Sequence, residues 1–175
     1  MKKLIFFFLI LAQVYCSYSQ TLYKAEKNGL YGYVDDKGRE IVPCKYAHAY
    51  TDTIKNLGFV FEKETEEIVC FNNRGRQLFY VFQVDNGPDY VEEGLFRIID
   101  KNKSVGFADT LGNIVIPPKF AFAFPFKGGK AKVTFTGKAK DVPFSNGEKH
   151  YWDSEQWFFI SKPFSCPKNH KMDKP

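Results

Sequence analysis

Acid-base or nucleophilic catalysis needs an activated group held beside an oriented partner, and three histidines, His48, His150 and His170, are the first place to look. His48 stands where Phe122 stands in the repeat set out below, so it reads as a variable ring position. His150 lies in the polar stretch 138–153, and His170 in a basic tail. No glycine-rich phosphate loop, Gly-x-Ser-x-Gly elbow or His-Glu-x-x-His helix occurs. Cys44-x-x-x-His48 and Cys166-x-x-x-His170 together have a composition that zinc accepts, but their spacing matches no recognised zinc pattern. The sequence therefore assigns no catalytic residue, no cofactor-binding residue and no metal ligand.

The cysteines carry a second possibility, because the start of the chain reads as an export signal. Lys2 and Lys3 precede an unbroken apolar run over residues 4–12, and Ser17 and Ser19 supply small residues three and one before a cut. This layout predicts a signal peptide over residues 1–19, removed between Ser19 and Gln20, and a secreted or periplasmic protein. The apolar run is too short to span a bilayer, which takes roughly 20 residues. Lipid anchoring at Cys16 is the alternative, disfavoured by Tyr15, since lipidated cysteines normally follow a small residue. In an oxidising compartment, Cys44 and Cys70 form the best disulfide candidate and leave Cys166 over; three reduced thiols are the alternative.

The elements that would have to position any of these residues are strands. The 175 residues are 44% hydrophobic and 18% aromatic, with 19 Phe, 10 Tyr, 13 Gly and 9 Pro, a composition of aromatic strands joined by tight turns. A net charge of +5, which falls to +3 once Lys2 and Lys3 are removed, is too small for a nucleic-acid partner. Much of the excess falls in the tail, at Lys162, Lys168, Lys171 and Lys174.

Gly38, Gly75 and Gly112 recur every 37 residues, each three residues after Asp35, Asn72 or Asp109. An Asx side chain at the first position of a type I turn closes onto the backbone, and glycine at the fourth accepts positive φ; with flanking strands this makes a hairpin. Units are expected near 28–62, 66–98 and 102–135. Before the turns, Tyr31 and Tyr33, Ile68 and Cys70, and Val105 and Phe107 share an apolar, core-facing side. After them, Ile41-Val42, Leu78-Phe79 and Val115-Ile116 read as strands covered on both faces. Lys45-Tyr46-Ala47-His48-Ala49-Tyr50 and Lys119-Phe120-Ala121-Phe122-Ala123-Phe124, 74 residues apart, are expected to form a short turn that packs rings under the hairpin. A third strand closes each unit, over 58–62, 94–98 and 131–135.

Tyr31-Gly32-Tyr33-Val34-Asp35 and Val105-Gly106-Phe107-Ala108-Asp109, each followed by an apolar pair, Pro, and Lys-aromatic-Ala, resemble the bacterial WG repeat with its Trp replaced. Ile68-Val69-Cys70-Phe71-Asn72 is a degenerate copy, and Trp157-Phe158-Phe159-Ile160-Ser161 a fragment of a fourth. The resemblance covers residues 22–137 and implies an all-β repeat protein, often exported, with no catalysis attached to the repeat. The expected fold is therefore tandem units of about three short antiparallel strands in a continuous curved or solenoid-like sheet over 20–137. Residues 138–175 are expected to cap the last edge. The strand glycines are expected to serve cross-strand packing, with a ligand groove as the alternative. The function that follows is a non-catalytic exported module that binds a protein or glycan at the bacterial envelope, without cofactor or transmembrane span. An exported hydrolase or metal-binding protein using the C-terminal segment is the alternative.

Overall fold

A computed structural model describes residues 20–145, 147–148 and 150–163. The expected signal peptide with Cys16, and the basic tail with Cys166 and His170, lie outside the described residues. Those described form an all-β protein of short antiparallel strands in five sheets, as the repeat pattern requires.

The first unit comprises β1 (Leu22–Lys27), β2 (Leu30–Val34) and β3 (Glu40–Tyr46), followed by β4 (His48–Ala49) and β5 (Thr53–Ile54). The second comprises β6 (Leu57–Glu62), β7 (Glu67–Asn72) and β8 (Gln77–Val81), followed by the two-residue strands β9 (Gln83–Val84) and β10 (Gly87–Pro88). The third runs through β11 (Leu95–Ile99), β12 (Val105–Asp109) and β13 (Ile114–Phe120) to β14 (Phe122–Ala123). After it come β15 (Lys130–Thr134), the hairpin β16 (Lys138–Asp141) and β17 (His150–Asp153), and β18 (Phe158–Ser161).

The expected hairpins form at β2–β3, β7–β8 and β12–β13. Each turn Asp or Asn side chain accepts two backbone N–H bonds: Asp35 Oδ1 from Lys37 and Arg39, Asn72 Oδ1 from Arg74 and Arg76, and Asp109 Oδ1 from Leu111 and Asn113, at 2.9–3.0 Å. Gly38, Gly75 and Gly112 have φ of 74°, 71° and 86°. A fourth turn of this kind joins β11 to β12: Asp100 Oδ1 accepts from Asn102 and Ser104, and Lys103 takes the positive φ of 63°. Without a glycine, it escaped the sequence pattern.

The strands expected to close the first two units open the next unit instead. β6 pairs along its whole length with β7, and β11 with β12, because a tight reverse turn brings consecutive antiparallel strands together. Lys45 to Tyr50 and Lys119 to Phe124 are likewise not turns. β3 runs on into β4, which crosses to the edge of β6, and β13 runs on into β14, which joins β15. Burial also differs from expectation. The strands before the turns are covered on both faces: β7 is buried from Glu67 to Phe71 and β12 from Val105 to Ala108. After the turns, Val42, Phe79 and Ile116 are buried while Ile41, Leu78 and Val115 are half-buried.

Each core cluster spans two successive units. Tyr33, Val42 and Ile54 pack with Val60, Val69 and Phe71. Ile68, Cys70 and Val81 pack with Phe96, Ile98 and Ala108. Phe107, Ile116 and Phe120 pack with Phe126, Ala131 and Val133. A repeat of about 37 residues is too small to bury its own apolar face, and here neighbours share it.

The strand glycines fix where the sheet breaks. Between Tyr31 and Tyr33, paired with Tyr46 and Val42, β2 has one residue, Gly32, while β3 has three, Pro43 to Lys45. This bulge lies on Gly32: a Cβ there would be 2.4 Å from Val42 O and 2.7 Å from Cys44 N. Gly106 carries the same bulge, with a Cβ position 2.5 Å from both Ile116 O and Pro118 N. Val69 replaces the glycine in unit two, and there β8 pairs without the two-residue bulge and continues straight into pairing with β11. Units two and three consequently share one seven-stranded sheet, while sheets break after β3 and after β13.

Candidate functional site

The hand-over from β13 to β14 brings Phe122 and Phe124 beside β15, and the excursion between β15 and β18 returns two tryptophans to them. Trp152, on β17, stacks on Phe122 with centroids 5.2 Å apart and planes 16° from parallel. Trp157, just before β18, meets Phe124 at 5.5 Å and Phe122 at 6.4 Å. Both indoles are oriented by backbone acceptors: Trp152 Nε1 donates to Thr136 O at 3.0 Å and Trp157 Nε1 to Ser154 O at 2.9 Å. A hydroxyl cluster, Ser154 Oγ to Thr134 Oγ1 at 2.8 Å and to Thr136 Oγ1 at 3.1 Å, ties this excursion to β15. The Lys132 ammonium lies 4.6 Å from the Trp157 ring and 6.0 Å from Phe124.

On one side of this aromatic ledge is an open groove of about 660 Å³. Phe124, Phe126 and Phe159 give it apolar walls, and its charged groups are Lys127, Lys130 and Lys132 with Glu92 and Glu93. Phe124 and Phe159 are 43% and 72% exposed, more than packing alone calls for. The Glu93 carboxylate accepts the Gly129 N–H at 3.0 Å, and its carbonyl accepts from the Lys162 ammonium. A second depression of about 360 Å³ is lined by Phe82, Phe122 and Trp152, with Glu67 and Lys103 among its polar groups.

A buried ion pair underlies the ledge. Arg97 is bidentate on Asp89, Nε to Oδ2 at 2.9 Å and Nη2 to Oδ1 at 2.5 Å, and gives a third bond from Nη1 to Ala123 O at 3.1 Å. Its guanidinium is 4.0 Å from the Phe82 ring centroid, which itself packs on Phe122 at 5.9 Å. Asp89 also accepts the Arg97 N–H at 2.7 Å, so the pair satisfies the rule that buried charge be matched and hydrogen-bonded. Among the described residues no buried side-chain polar atom lacks a partner.

The groups expected to be candidates for chemistry have structural surroundings. His48 is exposed between Tyr31 and Tyr50, at centroid distances of 6.2 and 4.7 Å. His150 Nδ1 is 2.8 Å from Asp141 Oδ1 on the exposed β16–β17 hairpin. Cys44 lies in the bulge of β3, its Sγ 3.8 Å from Ala25 O, and Cys70 lies in the core between units two and three. Cys44 is half-buried and Cys70 buried, and both are free thiols; of the two alternatives the Cys44–Cys70 disulfide is not formed. Among the described residues no three of His, Cys, Asp and Glu converge on a point that could hold a metal ion; Cys166 and His170 are outside that set.

The shifted titrations follow the same packing. Burial acts to raise the Asp35 and Asp109 carboxyls, but the hydrogen bonds of their turns outweigh it and hold both below the ordinary carboxylate value. Desolvation pushes the Cys70 thiol up to about 12, and pushes Tyr33 up to about 12 against the bond its hydroxyl donates to Thr51 O at 2.6 Å.

The ledge was not foreseen as a surface. Its sequence signal is the third unit's Phe120, Phe122, Phe124 series together with two tryptophans in the segment that leaves the 37-residue register; unbroken alternation would put these three rings on one face, but the bend at Ala121 between β13 and β14 shifts the phase, so that Phe120 and Ala123 are buried and Phe122 and Phe124 are more exposed.

The family model for the WG containing repeat matches residues 31–62 and 106–138, the stretches that begin at the two glycine-bearing hairpins. No curated protein and no solved structure matches the chain.

Proposed function

We propose, from the premise that this chain carries two WG-containing repeats, that it is a non-catalytic binding module exported to the bacterial envelope, where it engages a protein or glycan through the aromatic groove of its last unit. The observation that carries this reading is the exposure of Phe124 and Phe159 beside an oriented Trp157 and three lysines in a groove of about 660 Å³. Exposed rings held in place by hydrogen bonds and packing offer apolar contact area at little ordering cost, and lysines around them add orientation. The repeat architecture supports the same reading, since stacked units supply a rigid frame on which an edge groove can be built.

The test uses tryptophan fluorescence, to which Trp157 contributes from its place against the groove residues Phe124 and Lys132. The protein is titrated with envelope glycans and used to capture envelope proteins, beside Phe124→Ala and Lys132→Ala. Binding that weakens tenfold or more in both variants, with melting temperatures close to the parent, supports the groove. Ligand capture that is indistinguishable among the three proteins overturns it. Intact mass of the exported material is expected to begin at Gln20; a mass that retains Met1 overturns the export reading, and a lipidated Cys16 start replaces a soluble module with an anchored one.

A further inference from the structure

Among the described residues the repeat register leaves one strand position open. Along the centre strands of the four units, Gly32 opposes Ala25, Val69 opposes Val60, Gly106 opposes Ile98 and Phe158 opposes Val133. β18 is thus the centre strand of a fourth unit, the counterpart of β2, β7 and β12. Those three are each flanked on their far side by a strand, β3, β8 and β13. Among the described residues no strand flanks β18 there: its sheet runs β14, β15, β18 and stops.

The exposed edge has a definite polarity. The Lys162 N–H donates to Gly129 O at 2.8 Å, and backbone groups alternate along a strand. The amides of Ile160 and Phe158 therefore also turn toward β15, and those of Phe159 and Ser161 turn outward. The edge strand is uncharged, and Phe158 and Phe159 are 48% and 72% exposed. Phe158 occupies the position where glycine permits a bulged neighbour, so an incoming strand must pair regularly, as β8 does beside Val69.

The geometry points to a second copy of this chain as the occupant, with β18 pairing antiparallel to its counterpart about a two-fold axis at Phe159. An antiparallel pair that uses outward amides sets Phe159 opposite Phe159 of the second copy. Phe158 then lies beside Ile160, Trp157 beside Ser161 and Gln156 beside Lys162. Every opposition is between uncharged groups or an amide and an ammonium, so self-pairing meets no like-charge repulsion, and both exposed phenylalanines of each copy gain aromatic or β-branched partners. The result is one six-stranded sheet, β14-β15-β18 and its symmetry mate, with an isologous interface. Phe159 is also a wall of the ligand groove, so the two readings share that ring, but this one rests on the strand register and not on the groove's binding a ligand.

Analytical ultracentrifugation of the purified protein over a concentration series tests it, together with amide hydrogen exchange. The expected result is a dimer in which protection of the Phe159 and Ser161 amides rises with protein concentration. Phe159→Pro removes only an outward N–H, leaving pairing with β15 intact, and Phe159→Lys places like charges opposite each other; both are expected to be monomers with the parent's melting temperature. A parent that is monomeric at every concentration, with flat exchange at these two amides, overturns the proposal. If shortening that monomer to end at Pro163 makes it dimerise, the occupant is the chain's own final residues, which also overturns it. Dimers that persist in both variants place the interface elsewhere and overturn it as well.

Discussion

Gly32 and Gly106 are required for what lies on them, and Gly38 for its own backbone. A methyl group at Gly106 would enter the backbone of the β13 bulge at 2.5 Å, a contact that no side-chain rotation relieves, so Gly106→Ala is expected to destabilise by about 1–3 kcal/mol, the usual range for overpacking. Gly38 has open space around its Cβ position and a φ of 74°, so Gly38→Ala is expected to cost only the left-handed conformation, about 1–2 kcal/mol. Urea unfolding checks both, and equal losses would mean that the bulge gives way. Buried acids make a second prediction at this scale. The Cys70 thiol, ordinarily at 9.0, and the Tyr33 hydroxyl, ordinarily at 10.0, are both raised to about 12 in the folded chain. As pH climbs from about 9 to about 12 the unfolded chain releases protons that the folded chain retains, so stability that is complete below about 9 is lost across that window. Urea midpoints measured against pH are expected to fall there, with the onset moved toward pH 10 in Cys70→Ala. A flat profile would contradict the burial of both groups.

Two ion pairs in corresponding places show how an element's setting decides the worth of a contact. Asp52 and Asp89 are 37 residues apart; Asp52 pairs with Lys24 on exposed β1, and Asp89 with buried Arg97 on β11. Asp89→Ala strands a guanidinium among apolar groups and is expected to cost about 3–5 kcal/mol, while Asp52→Ala exposes a lysine already in water and is expected to leave the melting temperature unchanged. Comparable losses at the two positions would show that burial of the β11 pair is incidental. Sequence made these hairpins legible because their turns need Asx and glycine at fixed offsets. It made the third strands visible but not their partners, since alternation at 58–62 says which face is apolar and nothing about which neighbour completes the sheet. The turn at Asp100 was hidden because Lys103 tolerates positive φ without announcing it. His48 and Phe122 were correctly equated as ring positions, yet the exposure of one on a strand crossing and the stacking of the other on Trp152 depend on chain 30 residues further on, beyond any local pattern.

At the scale of the molecule the units depend on each other through the turns as well as the cores. The Cβ position of Gly75 is 2.5 Å from Ile41 Cγ2, and that of Gly112 is 2.7 Å from Leu78 Cδ1; Ile41 and Leu78 are themselves 37 residues apart, so each turn rests on the unit before it. Gly38, in the first unit, meets nothing within 4 Å of its Cβ position among the described residues. In the fourth unit β18 covers β15 and pairs Ile160 with buried Ala131. Ending the chain at Gly137 is expected to uncover that edge, lower the melting temperature and promote aggregation, as thermal unfolding and light scattering would register; a truncated protein as stable and monodisperse as the parent would show that β18 is an ornament. The passage of β3 into β4 and of β13 into β14 has a genetic consequence. A chain that hands its trailing strand to the following sheet has no privileged boundary between units. Copying any window of about 37 codons, wherever it starts, would insert one further complete set of strands, so unequal recombination could lengthen or shorten such a gene without having to find a seam.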